Sequence, residues 1–227
     1  MKLRFNGLSR IIKLKAGRPS FVCIENHHLY TRFVCSLLSG EGEGADEPYT
    51  MWDDADAKLS AKDNFLAVTD PFNLPYDHRL LLGEVLKSVT NSLTCHTTVS
   101  TTLNAALLQF YQTVSLELYQ YNGNYVLTPE VDIQKLLKLM CFSVDMVSDE
   151  SYIDGLLNFV HIARDACLAK PLLFVGICSF LTEQEVKLFL RELKNSNLRV
   201  LFFENRMPYD CVRNEEHILL DLDFLES

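Results

Sequence analysis

Six basic side chains stand at spacings that suit phosphate. Lys13 and Lys15 are two residues apart in an alternating stretch, so both project to one side of an extended chain. Lys135 and Lys138 are three apart on a helical period, and Arg164 and Lys170 lie near the end of a later helical stretch. Ammonium and guanidinium groups without base-reading partners do the chemistry of sequence-independent phosphate contact. The same residues also suit a solvated face. A formal net charge of −9 argues against nucleic acid for the molecule as a whole. The charge is segregated, however. Residues 1–18 hold Lys2, Arg4, Arg10, Lys13, Lys15 and Arg18 with no acid, whereas residues 41–70 hold nine acids against Lys58 and Lys62.

Other chemistries find little to use. A phosphate loop needs G-x-x-x-x-G-K-[ST] between a strand and a helix, and none is present. The run Gly40, Glu41, Gly42, Glu43, Gly44 is glycine-rich, but its carboxylates would repel phosphate. Residues 65–70 resemble an apolar strand ending on a magnesium-holding acid, Asp70, which also reads as an ordinary strand rim. No G-x-S-x-G elbow occurs. His27 and His28 are adjacent, so their rings cannot share a metal from a regular helix. Glu185 and Lys187 echo part of a nuclease motif but fall in a helical segment. Seven cysteines without a C-x-x-C pair fit reduced, buried thiols and a cytoplasmic setting. No apolar run reaches the roughly 18 residues of a membrane-spanning helix, so no membrane partner is expected. The basic start lacks the apolar core of a secretory signal.

The elements that must position these residues follow from periodicity. Leu3 and Phe5, then Ile12 and Leu14, alternate with basic residues and predict a hairpin turning over residues 7–10. Residues 20–25 read as a buried strand, and Asn26 as the cap of a helix through Leu37. Strands follow at residues 49–52 and 64–69 on either side of a polar loop. From residue 77 to 170 the texture is helical. One helix carries Leu80, Leu81 and Val85, and a second carries Leu103, Ala106, Leu107, Phe110, Val114 and Leu118. A third is capped by Thr128 with Pro129 at its first position, and a fourth starts at Ser148 or Asp149. Residues 172–177 form a buried strand. Thr182 and Glu185 make a capping box, and strands return at 198–203 and 217–222. The expected fold class is α/β, with a parallel-sheet head from residues 1–76 and 171–227 and an inserted helical leg over residues 77–170.

Residues 172–210 carry a resemblance. An apolar strand is followed by F-L-T-x-x-E-V opening a helix (Phe180, Leu181, Thr182, Glu185, Val186). A second apolar strand then runs into E-x-R at Glu204 and Arg206. With the M-x-L-x-F start and Val68, Thr69, Asp70, this pattern resembles the small CRISPR-associated ring proteins of type II-A loci. The resemblance implies a head like a phosphate-loop nucleotide hydrolase without the nucleotide site, carrying a helical leg. It implies a non-enzymatic, cytoplasmic bacterial homotetramer whose lysine-lined channel admits double-stranded DNA from an end. The implied partners are the integrase complex and the effector nuclease of the same locus, during spacer acquisition. The family binds calcium through an acidic cluster between the second and third leg helices. Here that cluster is thinned to Glu117, Glu130 and Asp132, with Asn122 and Asn124 as neutral donors. Two other readings stay open: a protein-only adaptor of the integrase complex without DNA binding, and a degenerate nucleotide hydrolase using Asp70.

Overall fold

Apolar runs of a few residues, punctuated by turn formers, become nine strands and six α-helices among the described residues. The computed structural model describes residues 1–62, 64–128, 132–144, 151–223 and 225–226. The predicted hairpin is formed by β1 (Lys2–Phe5) and β2 (Ile12–Lys13), with Lys2 opposite Lys13 and Leu3 opposite Ile12. β3 (Ser20–Ile24) is buried along its whole length and leads through Glu25 and Asn26 into α1 (His27–Ser39). The Asn26 side chain accepts the Leu29 amide at 3.0 Å, and Gly40 ends the helix at φ 68°. β4 (Tyr49–Trp52), β5 (Lys58–Leu59) and β6 (Leu66–Val68) follow. The helices α2 (Arg79–Cys95), α3 (Thr97–Leu118), α4 (Ile133–Leu139) and α5 (Tyr152–Asp165) come next. β7 (Leu172–Val175), α6 (Glu183–Ser196), β8 (Val200–Glu204) and β9 (Glu216–Leu220) complete the chain. Thr182 and Glu185 form the reciprocal capping box expected of them.

Five strands make one parallel sheet in the order β6-β7-β8-β3-β9, and four make an antiparallel sheet in the order β2-β1-β4-β5. A parallel sheet needs cover on both faces. On one face Val22, Ile24, Leu201 and Phe203 pack with Phe33 of α1 and with Leu3, Phe5 and Tyr49 of the antiparallel sheet. On the other, Phe174 lies among Phe202, Phe159 of α5 and Phe189 of α6, with ring centroids 5.3 to 6.3 Å apart.

The chain divides into two compact units, residues 1–76 with 147–227, and residues 77–146. This boundary differs from the one expected at residue 170, because α5 belongs to the sheet unit: Leu156, Phe159, Val160 and Ala163 are fully buried there. Two helix starts also differ. Thr128 lies outside any helix and α4 begins at Ile133, with the Asp132 side chain accepting the Lys135 amide at 3.0 Å. Ser151 caps α5; Pro129, Ser148 and Asp149 lie outside the described residues. In the helical unit α2 packs against α3 and α4. The two-faced burial of the sheet predicts that Phe174→Ala costs about 3–5 kcal/mol. Urea unfolding of the variant checks it, and a loss below about 1 kcal/mol would mean that the aromatic layer is not what seals that face.

Candidate functional site

Residues directly opposite each other in an antiparallel ladder point to the same side of the sheet. Lys13 of β2 stands opposite Lys2 of β1, Lys2 opposite Trp52 of β4, and Trp52 opposite Lys58 of β5. One row across the antiparallel sheet therefore reads Lys13, Lys2, Trp52, Lys58, on the side away from buried Leu3, Phe5, Ile12 and Met51. Arg4 stands two residues along, exposed and opposite Thr50. Between Arg4, Ile11, Lys2 and the Trp52 indole lies an open hollow of ≈ 270 Å³, with Asp56 on its rim. Part of this charge is already engaged. Lys2 Nζ is 2.5 Å from Asp56 and Lys58 Nζ is 2.7 Å from Glu43, whose carboxyl the Lys58 ammonium holds below its usual range. Lys13 and Arg4 have no ion-pair partner among the described residues.

The predicted basic residues divide among three places. Lys13 joins the row. Lys15 is exposed just beyond it, bridged antiparallel to Arg18. Arg164 is exposed near the end of α5, 3.7 Å from Asp165, and Lys170 is half-buried before β7. Lys135 and Lys138 are exposed on α4 in the helical unit, Lys135 Nζ lying 3.6 Å from Asp132. Sequence reasoning did not assemble Lys2, Arg4, Trp52 and Lys58 with Lys13. The hairpin pattern carried half the signal; the pairing of β1 with β4 is long-range and left no local trace.

Of the acids expected to hold calcium, Glu117 and Asp132 make local hydrogen bonds. Asp132 caps α4, and the Lys135 amide lowers its pKa. Glu117 accepts from Gln120 at 3.2 Å, and Glu130 lies outside the described residues. Among the described residues no three His, Cys, Asp or Glu side chains converge as a metal would require. Asp70 accepts the Phe72 amide at 3.0 Å and so shapes a turn. Glu185 is held in the capping box, and Lys187 pairs with Glu183 at 2.7 Å on the same helix.

The strand ends of the parallel sheet gather a second group. Gly176, at φ 68°, turns the chain out of β7 into a 3-10 turn (Ile177–Phe180), which brings the Cys178 amide 3.1 Å from the Glu204 carboxylate. Glu204 is 1 % exposed, and burial raises its pKa to about 7. Burial likewise lifts the Cys178 thiol, and pushes Cys23, which pairs with Glu204 across the strands, up to about 12, so these are inert thiols. The Tyr152 hydroxyl, at the start of α5, is buried with no hydrogen-bond partner among the described residues. Between the ordinary glutamate value and about 7, the native protein holds a proton that the unfolded chain has released. Stability contributed here is therefore lost as pH rises through that window, by an amount on the order of 3 kcal/mol. Glu204→Gln, which keeps the acceptor and removes the titration, is expected to be increasingly stabilised relative to wild type from about pH 5 to 8 by this linkage. A pH-independent difference in urea unfolding would show that Glu204 does not titrate in this range.

The comparisons with known proteins follow the fold closely. The model of the CRISPR-associated protein family Cas_Csn2 matches residues 44–224. A CRISPR-associated protein Csn2 from Enterococcus faecalis is 21 % identical over 227 residues, covering 100 % of this chain and 98 % of the relative. The crystal structure of Stu0660 of Streptococcus thermophilus superposes with a TM-score of 0.62 at 16 % identity, over 99 % of this chain and 76 % of that one. Among the described residues no helix is long and apolar enough to cross a membrane. This chain belongs to the Csn2 family of CRISPR-associated proteins, which serve in CRISPR adaptation.

Proposed function

We propose that the protein is a non-enzymatic, sequence-independent subunit of a ring that binds double-stranded DNA ends during spacer acquisition. The observation that carries this reading is the register of the small sheet, which turns a basic stretch of sequence into one outward basic face. Lysine and arginine suffice for such a task, because threading onto a duplex requires phosphate contact and no base reading. Lys13 and Lys15 on the sheet unit, Lys135 and Lys138 on α4, and Arg164 and Lys170 around the end of α5 are the proposed contacts. Repetition in a homotetramer multiplies each of them, so few are needed per chain. The integrase complex and the effector nuclease of the same locus are the proposed partners. Calcium at Glu117, Glu130 and Asp132 is the proposed metal, and the chelator arm of the binding experiment tests it.

The need for assembly is supported by α3. Its half-buried stripe runs through Leu103, Leu107, Tyr111, Val114 and Leu118; of the predicted stripe, Ala106 and Phe110 are exposed instead, and none of the 22 residues is fully buried. Outside the stripe, Leu108, Phe110 and Leu116 are 54 %, 68 % and 67 % exposed. An apolar groove of ≈ 630 Å³ runs beside them, lined by Leu107, Val114, Leu127 and Ile133 among others. Exposed apolar surface of this kind marks an interaction site, and a second copy is the proposed occupant.

Against nucleotide chemistry stands the β3–α1 turn, which carries Glu25 and the helix cap Asn26 and no glycine. The reading is tested by binding of linear and covalently closed duplexes at low salt, with calcium and with chelator. Linear duplex is expected to bind and the closed form not. The logarithm of affinity should fall against that of salt by about 0.9 per phosphate neutralised. Reversing Lys135 and Lys138 to glutamate is expected to weaken binding; unchanged affinity removes that pair. Failure of both duplexes would shift the reading to a protein-only adaptor. Phe110→Glu with Leu116→Glu is expected to dissociate the assembly in sedimentation velocity, while an unchanged mass would place the subunit contacts elsewhere.

A further inference from the structure

We infer that the outward face of the antiparallel sheet holds an unpaired nucleotide of a DNA strand, with its base in the hollow against Trp52. This inference rests on the DNA-end reading and goes beyond it, since duplex threading needs no base contact at all.

Three features of the face point to this ligand. The hollow is walled by an indole, the only tryptophan of the chain, and by the Ile11 side chain. Bases stack on such an aromatic wall whatever their identity, because every base has a π-face. Cations flank the indole along the row on both sides: Lys2 and Lys13 toward one edge, Lys58 toward the other, with Arg4 beside the hollow. Strands lie about 4.8 Å apart, so the row places charge at intervals that a single-stranded backbone can follow. A sheet surface with an aromatic platform between basic side chains is a geometry that single strands use. A duplex offers its bases only in the grooves or at its terminal pair, so the hollow favours a frayed or overhanging end.

The carboxylates of the face set its selectivity. Asp56 holds Lys2, and Glu43 holds Lys58, both through exposed ion pairs. Asp54 on the same β4–β5 connection is paired with Arg199 at 2.7 Å. Exposed pairs contribute little and exchange readily, so a phosphate can take either lysine, in competition with the carboxylate. The competition gives the site a sign: neutralising Asp56 or Glu43 must strengthen nucleic-acid binding, although neither residue touches the base stack.

Because Trp52 is the sole tryptophan, its emission reports directly on the hollow. The full-length protein is titrated at low salt with four probes: a blunt duplex, the same duplex with a short unpaired thymidine overhang, oligothymidylate, and thymidine monophosphate. The overhang duplex and oligothymidylate are expected to quench Trp52, and the blunt duplex is not. In anisotropy the overhang duplex is expected to bind about five- to a hundredfold more tightly than the blunt one, the range that one stacked base supplies. Trp52→Leu should abolish that preference, Trp52→Phe should keep part of it, and Asp56→Asn should raise overhang affinity several-fold. Matching thermal unfolding of each variant secures the comparison. Equal affinity and equal quenching for blunt and overhang duplexes overturn the inference and leave the DNA-end reading standing. A preference that survives Trp52→Leu also overturns it, and so does thymidine monophosphate binding as tightly as the strand, which would make the hollow a free-nucleotide site. Absence of binding by every DNA overturns both.

Discussion

The structure depends on one requirement, the burial of a parallel sheet on both faces. β3 and β8 are inaccessible along their full lengths, so each needs a complete apolar layer above and below. α5 and α6 supply one layer through Phe159 and Phe189. The other is shared between α1 and the antiparallel sheet, whose Leu3, Phe5 and Tyr49 reach Phe33 and Phe203. Using the small sheet as a lid settles the orientation of its second face. With every inward position committed to the core, alternation forces Lys2, Arg4, Lys13 and Lys58 into solvent on one surface. A basic face then follows in a molecule of net charge −9.

The same sheet explains why nucleotide hydrolysis fits poorly. In open α/β sheets phosphate is held where a glycine-rich turn lets helix amides approach it. Here β3 passes to α1 through Glu25 and Asn26, a carboxylate followed by a side chain that has already taken the Leu29 amide. The opposite side of the rim is closed by Glu204, which is buried under the 3-10 turn and accepts its Cys178 amide. A carboxyl group kept near neutrality by burial stabilises a turn; it is a poor start for binding an anion.

The elements legible in the sequence were those whose signals are local. The Thr182 and Glu185 box, the Asn26 cap, the β7 and β8 runs and the first hairpin each carry their determinants within a few residues. What was not legible depends on distant partners. α5 has the same apolar period as the leg helices, and only the aromatic layer it buries assigns it to the sheet unit. β5 is two residues long, too short for alternation to register. The row of Lys13, Lys2, Trp52 and Lys58 needs the pairing of β1 with β4 across more than forty intervening residues. Six basic residues could be named from composition and spacing, but proximity is a property of the ladder. Only Lys13 was therefore both predicted and placed in the row.

The two units differ in how far they satisfy themselves. The sheet unit holds almost all of the fully buried apolar side chains among the described residues, while α3 and α4 contain none. An amphipathic helix gains its stability from packing its apolar face rather than from propensity. A helix with Leu108, Phe110 and Leu116 in water has therefore left that part of its apolar surface unused in its own unit. The sheet unit has the opposite character, a continuous buried core under an antiparallel sheet whose outer row is basic. The proposed DNA contacts, by contrast, fall on both units, with Lys13 and Lys15 on the sheet unit and Lys135 and Lys138 on α4.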